Sequence, residues 1–207
     1  LTPGVKRAML LIFEKAGVYY TFLDENGSIC CGRPLKLAGL QESASKLIAE
    51  NSKAIYNTGA KILVTSCPIC YKVFNSDYHL EGMQVMHHSV FIEKLLQEGK
   101  LVLRSADIKA VYHDPCELGR GSGVYEQPRN ILKQIAEITD AAVERINSLC
   151  CGGSIGDLTM NAQQRNVIRD GALGVLCKSE PDVLVTACPL CKKTFDSGYR
   201  IMLKDIA

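Results

Sequence analysis

Ten cysteines in 207 residues are the part of this sequence most able to do chemistry. Thiolates are nucleophiles, redox groups and ligands for soft metals. Clustered cysteines in a chain without a secretory signal more often bind metal or exchange electrons than form structural disulfides. Nine of the ten fall into a pattern. Cys30-Cys31-Gly32 is followed, after 35 residues, by Cys67-Pro68-Ile69-Cys70. Cys150-Cys151-Gly152 is followed, after 36, by Cys188-Pro189-Leu190-Cys191, and 33 residues lie between Cys116 and Cys150. Two adjacent thiols can reach one inorganic core, and the glycine after them allows close backbone approach. A Cys-x-x-Cys laid across a helix start sets both sulfurs on one face.

The flanks repeat along with the cysteines. Ile62-Leu63-Val64-Thr65-Ser66 before Cys67 has a twin in Val183-Leu184-Val185-Thr186-Ala187 before Cys188, 121 residues later. The chain is therefore read as an internal duplication. Projecting Cys116 onto the first copy puts its counterpart at about position −4. The expectation is a fragment cut shortly after a cysteine. Its other end is expected to be clipped too, because the first copy continues past Phe74 into Gln84–Leu96 while the second stops at Ala207.

The elements that must position these thiols are legible in outline. A helix starts at Thr2-Pro3, carries Val5, Met9, Ile12, Phe13 and Ala16 at helical spacing, and ends at Gly17. Strands are expected at Val18–Leu23, Lys61–Thr65, Gln84–His88, Lys109–His113, Ala142–Ile146 and Asp182–Thr186. Helices are expected at Leu40–Tyr56, after a Ser66 cap at Cys67-Pro68, after a Ser89 cap to Gln97, from Pro128, over Asp157–Lys178, and from Cys188. Strands alternating with helices argue for an α/β fold with parallel sheets, here two tandem Rossmann-like halves related by the duplication. The seam is expected near Arg104–Ile108, giving domains 1–106 and 107–207. Each cysteine group then follows the carboxyl end of a strand, where open α/β sheets bind ligands. Helix N-termini there favour an anionic centre.

Composition excludes several classes. Hydrophobic residues make up 47% and charged residues 22%, which suits a chain with a real core and not a disordered or fibrous one. The net charge of +2 is spread without a basic stripe, so no nucleic-acid partner is expected. No apolar stretch nears the ~18 residues of a membrane span, and no basic start with an apolar core and cleavage site marks secretion. The expected location is cytoplasmic, with any membrane association running through a partner.

Three occupants compete for the thiols. Zinc takes four ligands in a tight tetrahedron, which five cysteines exceed and adjacent cysteines suit badly. Disulfides conflict with a reducing compartment. An iron–sulfur cluster accepts several thiolates from several loops and matches best. Of the remaining candidates, Cys177 reads as a structural thiol inside a helix. His113 and Asp114 could serve a sulfur or a proton, although a polar turn before Pro115 is the plainer reading. His87 and His88 read as packing residues, and Lys72 and Lys193 as a solvated face.

The pattern Cys116…Cys150-Cys151-Gly152…Cys188-Pro189-Leu190-Cys191 resembles the cysteine-rich CCG domain of the heterodisulfide reductase B/D family. Cys30-Cys31-Gly32…Cys67-Pro68-Ile69-Cys70 matches it without the leading cysteine. That family includes iron–sulfur subunits of glycolate, lactate and anaerobic glycerol-3-phosphate dehydrogenases. The resemblance implies a noncubane [4Fe–4S] cluster on five cysteines per domain, two clusters facing each other across a pseudo-twofold, and cleavage of a substrate disulfide. Carried over, it implies a second site of Cys116, Cys150, Cys151, Cys188 and Cys191. The first would be Cys30, Cys31, Cys67 and Cys70, its fifth ligand lying outside the chain. No further catalytic residue is assigned. The expected activity is that of an iron–sulfur oxidoreductase exchanging electrons with a small-molecule disulfide or other redox substrate. Its electron-transfer partner would be a ferredoxin-like domain or a flavoprotein. The alternatives are a relay component for a flavin-dependent dehydrogenase and a zinc-stabilised interaction module.

Overall fold

The duplication folds as a repeated parallel unit. In a computed structural model describing residues 3–25, 30–153, 159–196 and 201–207, β1 (Ile62–Thr65) runs through α4 (Pro68–Ser76) to β2 (Gln84–His87). The two strands pair in parallel, with Thr65 opposite His87. In the second copy β5 (Val183–Thr186), α9 (Pro189–Asp196) and β6 (Met202–Asp205) do the same, with Thr186 opposite Asp205. There the sheet widens. β3 (Lys109–His113) pairs with β5, and β4 (Glu137–Thr139) lies outside β3, giving the order β4-β3-β5-β6, all parallel. The fold is mixed α/β with two parallel sheets.

Parallel strands need helical crossovers, so helices cover both faces of such a sheet and its strands become uniformly apolar. All four residues of β5 are buried. One face presents Ala110, Tyr112, Val183 and Val185 to Ile131 and Leu132 of α7 (Glu126–Leu132), Ile92 of α5 (His88–Gln97), and Val5 and Met9 of α1 (Pro3–Lys15). The other packs Val111, Leu184 and Leu203 on Ala172, Leu173 and Leu176 of α8 (Ala162–Leu176) and on Phe195. Because α1 and α5 come from the first copy, the two copies share one apolar core. The first copy adds its own around Cys31, Ile55, Val73, Tyr78 and Leu80, with Ile55 on α3 (Gln41–Asn57). Among the described residues no helix is long and apolar enough to cross a membrane.

Several expectations need correction. Val18–Leu23 forms no strand: residues 18–22 are irregular and Tyr19 is fully exposed. A strand exists only with a ladder partner, and among the described residues none lies beside this segment. The segment instead finishes α1, with Gly17 at φ +63° and Val18 N–H donating to Phe13 O at 2.8 Å, the bond that closes a helix on a left-handed residue. Ala142–Ile146 is also not a strand. It runs into a 3₁₀ turn at Arg145–Asn147, because Asp114 draws in the Arg145 N–H at 2.8 Å. The strand comes earlier, as β4, whose three residues are too few to show alternation. Ser66 and Ser89 are not caps. Cys67 and His87 are, and His87 Nδ1 accepts from Ser89 N–H. The short α2 (Arg33–Leu37) is unanticipated. The Asp157–Lys178 helix begins at Ala162 behind an Asn161–Gln164 capping box; residues 157–158, like the Thr2 cap, lie outside the described residues.

Candidate functional site

Each Cys-Cys pair sits in a turn that only glycine closes easily. Gly32 has φ +93° and Gly152 φ +86°, the left-handed region that side chains avoid. Their N–H groups donate back to Cys30 Sγ and Cys150 Sγ, each at 3.4 Å. The result is the same in both copies: the first thiol of the pair is exposed and the second is buried. Gly153 is equally constrained, since a Cβ there would stand 2.9 Å from Thr194 Oγ1 and 3.5 Å from Cys151 Sγ. Its N–H donates to Cys151 Sγ at 3.4 Å.

The Cys-x-x-Cys elements open α4 and α9, each with proline at the first helical position, where its missing N–H is harmless. Cys67 is the cap of α4, and Cys191 N–H donates to Cys188 Sγ at 3.5 Å. The helices thereby turn both thiols toward the Cys-Cys turn. In the first copy Cys70 is hydrogen-bonded to both Cys31 and Cys67. In the second the contacts run Cys116–Cys150–Cys151–Cys191–Cys188. All predicted ligands except Cys30 are thus joined by thiol–thiol contact, and Cys30 adjoins Cys31. Cys177 stands apart, half-buried at the end of α8, its thiol raised by burial alone.

Crowding sets the charge. Hydrogen bonds from Cys70 push the Cys31 and Cys67 thiols down, and those from Cys116 and Cys151 do the same to Cys150. Cys70, Cys116, Cys151 and Cys191 are pushed up, chiefly because they act as donors to a neighbouring sulfur. The thiols alone therefore ionise only in part. Deprotonating a whole run would bring several negative charges together, which requires positive charge among the sulfurs, as metal supplies. Among the described residues no three His, Cys, Asp or Glu side chains converge as they would on a single ion. The sulfurs are strung along a run, with backbone N–H donors beside them. This donor set fits a polynuclear iron–sulfur group, which soft thiolates hold and N–H···S bonds tune.

Residues without any signal in the cysteine pattern hold these turns. Asn51 donates to Cys30 O at 2.9 Å and to Tyr78 Oη at 2.8 Å, and Tyr78 donates to Cys31 O at 3.1 Å. A polar residue on the Ala44–Asn51–Ile55 buried stripe of α3 is the signal that could have found it. Arg120 of α6 (Gly119–Ser122) donates to Ser148 O at 2.6 Å. His113 and Asp114, expected as a polar turn, are buried to 1% and 2% exposure. Asp114 takes both guanidinium nitrogens of Arg129 at 2.7 Å. His113 lies 3.2 Å from Leu149 O and 3.3 Å from Thr186 Oγ1. A carbonyl only accepts, so Nε2 carries the proton and Nδ1 accepts from Thr186. Lys72 lies on a solvated face as expected, its side chain 39% exposed, but it is also paired. Its Nζ pairs with Glu117 at 3.3 Å, and Arg33 pairs with the other oxygen at 3.2 Å. Glu117 follows Cys116, Arg33 follows Gly32, and Lys72 follows Cys70, so this triad ties the two cysteine groups together. Lys193 is exposed, as expected.

Burial holds the His113 imidazole down to about 4, against an ordinary value near 6.5. A depressed folded-state pKa means that protons bind the unfolded chain first. The stability His113 contributes is complete above about pH 6.5 and drains away as pH falls toward 4. Burial and the neighbouring His88 lower His87 in the same sense. Urea unfolding of the metal-free chain is expected to lose about 2 kcal/mol between pH 7 and pH 4.5 through His113. His113→Gln should lessen that slope, and an unchanged slope in the variant would refute the assignment.

The family profile described as the CCG cysteine-rich domain matches residues 1–75 and 110–196, one stretch in each copy. The chain is 31% identical over 210 residues to the EtfAB:quinone oxidoreductase of Syntrophomonas wolfei, covering 95% of this chain and 29% of that protein. It is 31% identical over 227 residues to the D chain of the dihydromethanophenazine:CoB–CoM heterodisulfide reductase of Methanosarcina acetivorans, covering 99% and 54%. An iron–sulfur protein of Methanocaldococcus jannaschii is 29% identical over 164 residues, covering 79% and 32%. The chain thus spans from about a third to about half of the length of these relatives. With the profile matched in both copies, and with each Cys-Cys-Gly turn packed on its own Cys-x-x-Cys helix, the chain belongs to the CCG cysteine-rich domain family.

Proposed function

We propose that this chain is the cysteine-rich module of an iron–sulfur oxidoreductase, with one [4Fe–4S] cluster of noncubane type in each of two units, 1–106 and 107–207. The ligands would be Cys30, Cys31, Cys67 and Cys70 in the first, and Cys116, Cys150, Cys151, Cys188 and Cys191 in the second. The observation carrying this reading is that two separate runs of touching thiols recur at equivalent places of a duplicated fold. The names of the relatives, a heterodisulfide reductase component, a quinone oxidoreductase and an iron–sulfur protein, agree with it.

When bound, such a cluster supplies one-electron redox chemistry and an iron atom able to take a sulfur. The chain's own residues do the rest. Gly32, Gly152 and Gly153 N–H groups stabilise negative sulfur. Buried Cys31 and Cys151 anchor the site away from water, while exposed Cys30 and Cys150 leave one side open to a partner or substrate. The Arg33–Glu117–Lys72 triad holds the two units in register and places a net positive charge beside both. The substrate is a disulfide or similar redox compound, and electrons come from a ferredoxin-like domain or a flavoprotein. A second reading, electron relay without substrate chemistry, is favoured by the likeness to the quinone oxidoreductase.

Anaerobic reconstitution with iron and sulfide, followed by metal analysis, tests the proposal. A coloured protein carrying both supports it, and a colourless one with stoichiometric zinc defeats it. Disulfide turnover with a reduced viologen as donor then separates the two readings: no turnover, together with co-purification of a flavoprotein, selects the relay.

A further inference from the structure

A second cluster of reactive side chains lies between the cysteine groups and takes no part in holding them. His87 closes β2 and His88 opens α5. Both are fully buried, their rings 4.3 Å apart. His88 Nε2 lies 2.9 Å from Asp205 Oδ1. Asp205 is the structural counterpart of His87 in the second copy, since His87 stands opposite Thr65 and Asp205 opposite Thr186. The group therefore straddles the duplication. His87 also lies against the carbonyls of Ser66 and Ala187, the residues directly before Cys67 and Cys188.

The cluster is short of hydrogen bonds. His87 Nδ1 is engaged by Ser89 Oγ at 2.8 Å, but His87 Nε2, His88 Nδ1 and Asp205 Oδ2 are buried without a well-formed partner. Tyr112 Oη is in the same condition, and the charge of Asp205 reaches it. Buried polar atoms left unpaired in a native fold are costly and rare, and each calls for an explanation. Because the Asp205 carboxylate accepts, His88 Nε2 carries a proton, and in the neutral ring it is Nδ1 that presents the free lone pair. Of the two rings, His88 is the one beside a counter-charge. The other groups facing the pair are Ser89, the Tyr71 ring 5.9 Å from that of His87, and Tyr112 with its neighbours Asp114 and Arg129.

We propose that His87, His88 and Asp205 form a buried proton-acceptor site that takes up one proton as one electron reaches the cysteine groups. This rests on the iron–sulfur reading above. An added electron places negative charge in a low-dielectric interior, and a proton nearby offsets it. The electron comes from a one-electron donor, which is oxidised, and the cysteine-bound centre is reduced. The proton comes from solvent: an O–H bond of hydronium breaks and an N–H bond forms at His88 Nδ1, giving an imidazolium paired with Asp205.

The test is a spectroelectrochemical titration of the iron-loaded chain from about pH 6 to about pH 9. One proton per electron shifts the equilibrium tenfold per pH unit, or about 59 mV. His88→Gln is expected to flatten this dependence; should it not fold, Asp205→Asn makes the same comparison. A wild-type potential that ignores pH, or a slope kept in the folded variant, overturns the proposal while leaving the iron–sulfur reading intact. A chain that binds no iron overturns both.

Discussion

Cys191→Ser is expected to empty the second cysteine site of metal while the fold persists. Cys191 is 3% exposed and its sulfur lies between those of Cys151 and Cys188, so it is the link joining the Cys-x-x-Cys helix to the Cys-Cys turn. Serine nearly matches its shape but offers no thiolate at neutral pH. Burying the hydroxyl costs about 1–3 kcal/mol, which a chain of this size tolerates if its total stability is typical. Bound iron and acid-labile sulfide should fall by about half, one of two thiolate-held groups being lost. Cys177→Ser, outside both runs, should leave the content unchanged. Equal iron in wild type and Cys191→Ser would remove Cys191 from the ligand set and with it the two-site reading.

Arg129→Met should be the most damaging single change to stability. The guanidinium is 3% exposed and Asp114 2%. Burial opposes the charge on Arg129, yet the carboxylates of Asp114 and Glu144 hold its pKa above the ordinary value. Asp114 also binds Arg145 N–H at 2.8 Å, so the pair fastens α7 to the end of β3 and to the loop entering Cys150. Removing one partner strands a buried charge and costs about 3–5 kcal/mol. In a chain of this length that lowers Tm by roughly 6–20 °C. The double variant Arg129→Met, Asp114→Asn should recover much of the loss, because the charge is gone and the amide oxygen can still accept from Arg145. Thermal unfolding of both variants decides the matter; a shift under about 2 °C in the single variant would show that the pair is not the brace inferred here.

How far the fold and the site are legible in the sequence depends on range. Lys109–His113 reads correctly as a strand because five residues, buried from Ala110 onward, carry their own signal. The end of α1 reads correctly because Gly17 closes it locally. Val18–Leu23 has the composition of a strand and is none, since pairing depends on a neighbour and not on the segment itself. The roles of Asp114 and Lys72 escape a sequence reading for the same reason. Arg129 is 15 residues from Asp114, and Glu117 is 45 from Lys72, so nothing nearby in the chain marks either pair.

The amino-acid sequence by itself determined the thiol sets, their duplication and the placement of Cys67, Cys116 and Cys188 after parallel strands, because spacing, glycine and proline act within a few residues of each cysteine. The two Cys-Cys-Gly turns, also expected after strands, follow irregular chain and a 3₁₀ turn. Tertiary structure decided which sulfurs touch, which are buried, what links the two groups and what lies between them. Those depend on β2 and β6 carrying His87 and Asp205 to equivalent positions, and on Glu117 meeting Arg33 and Lys72, contacts made only once distant segments have packed on a common core.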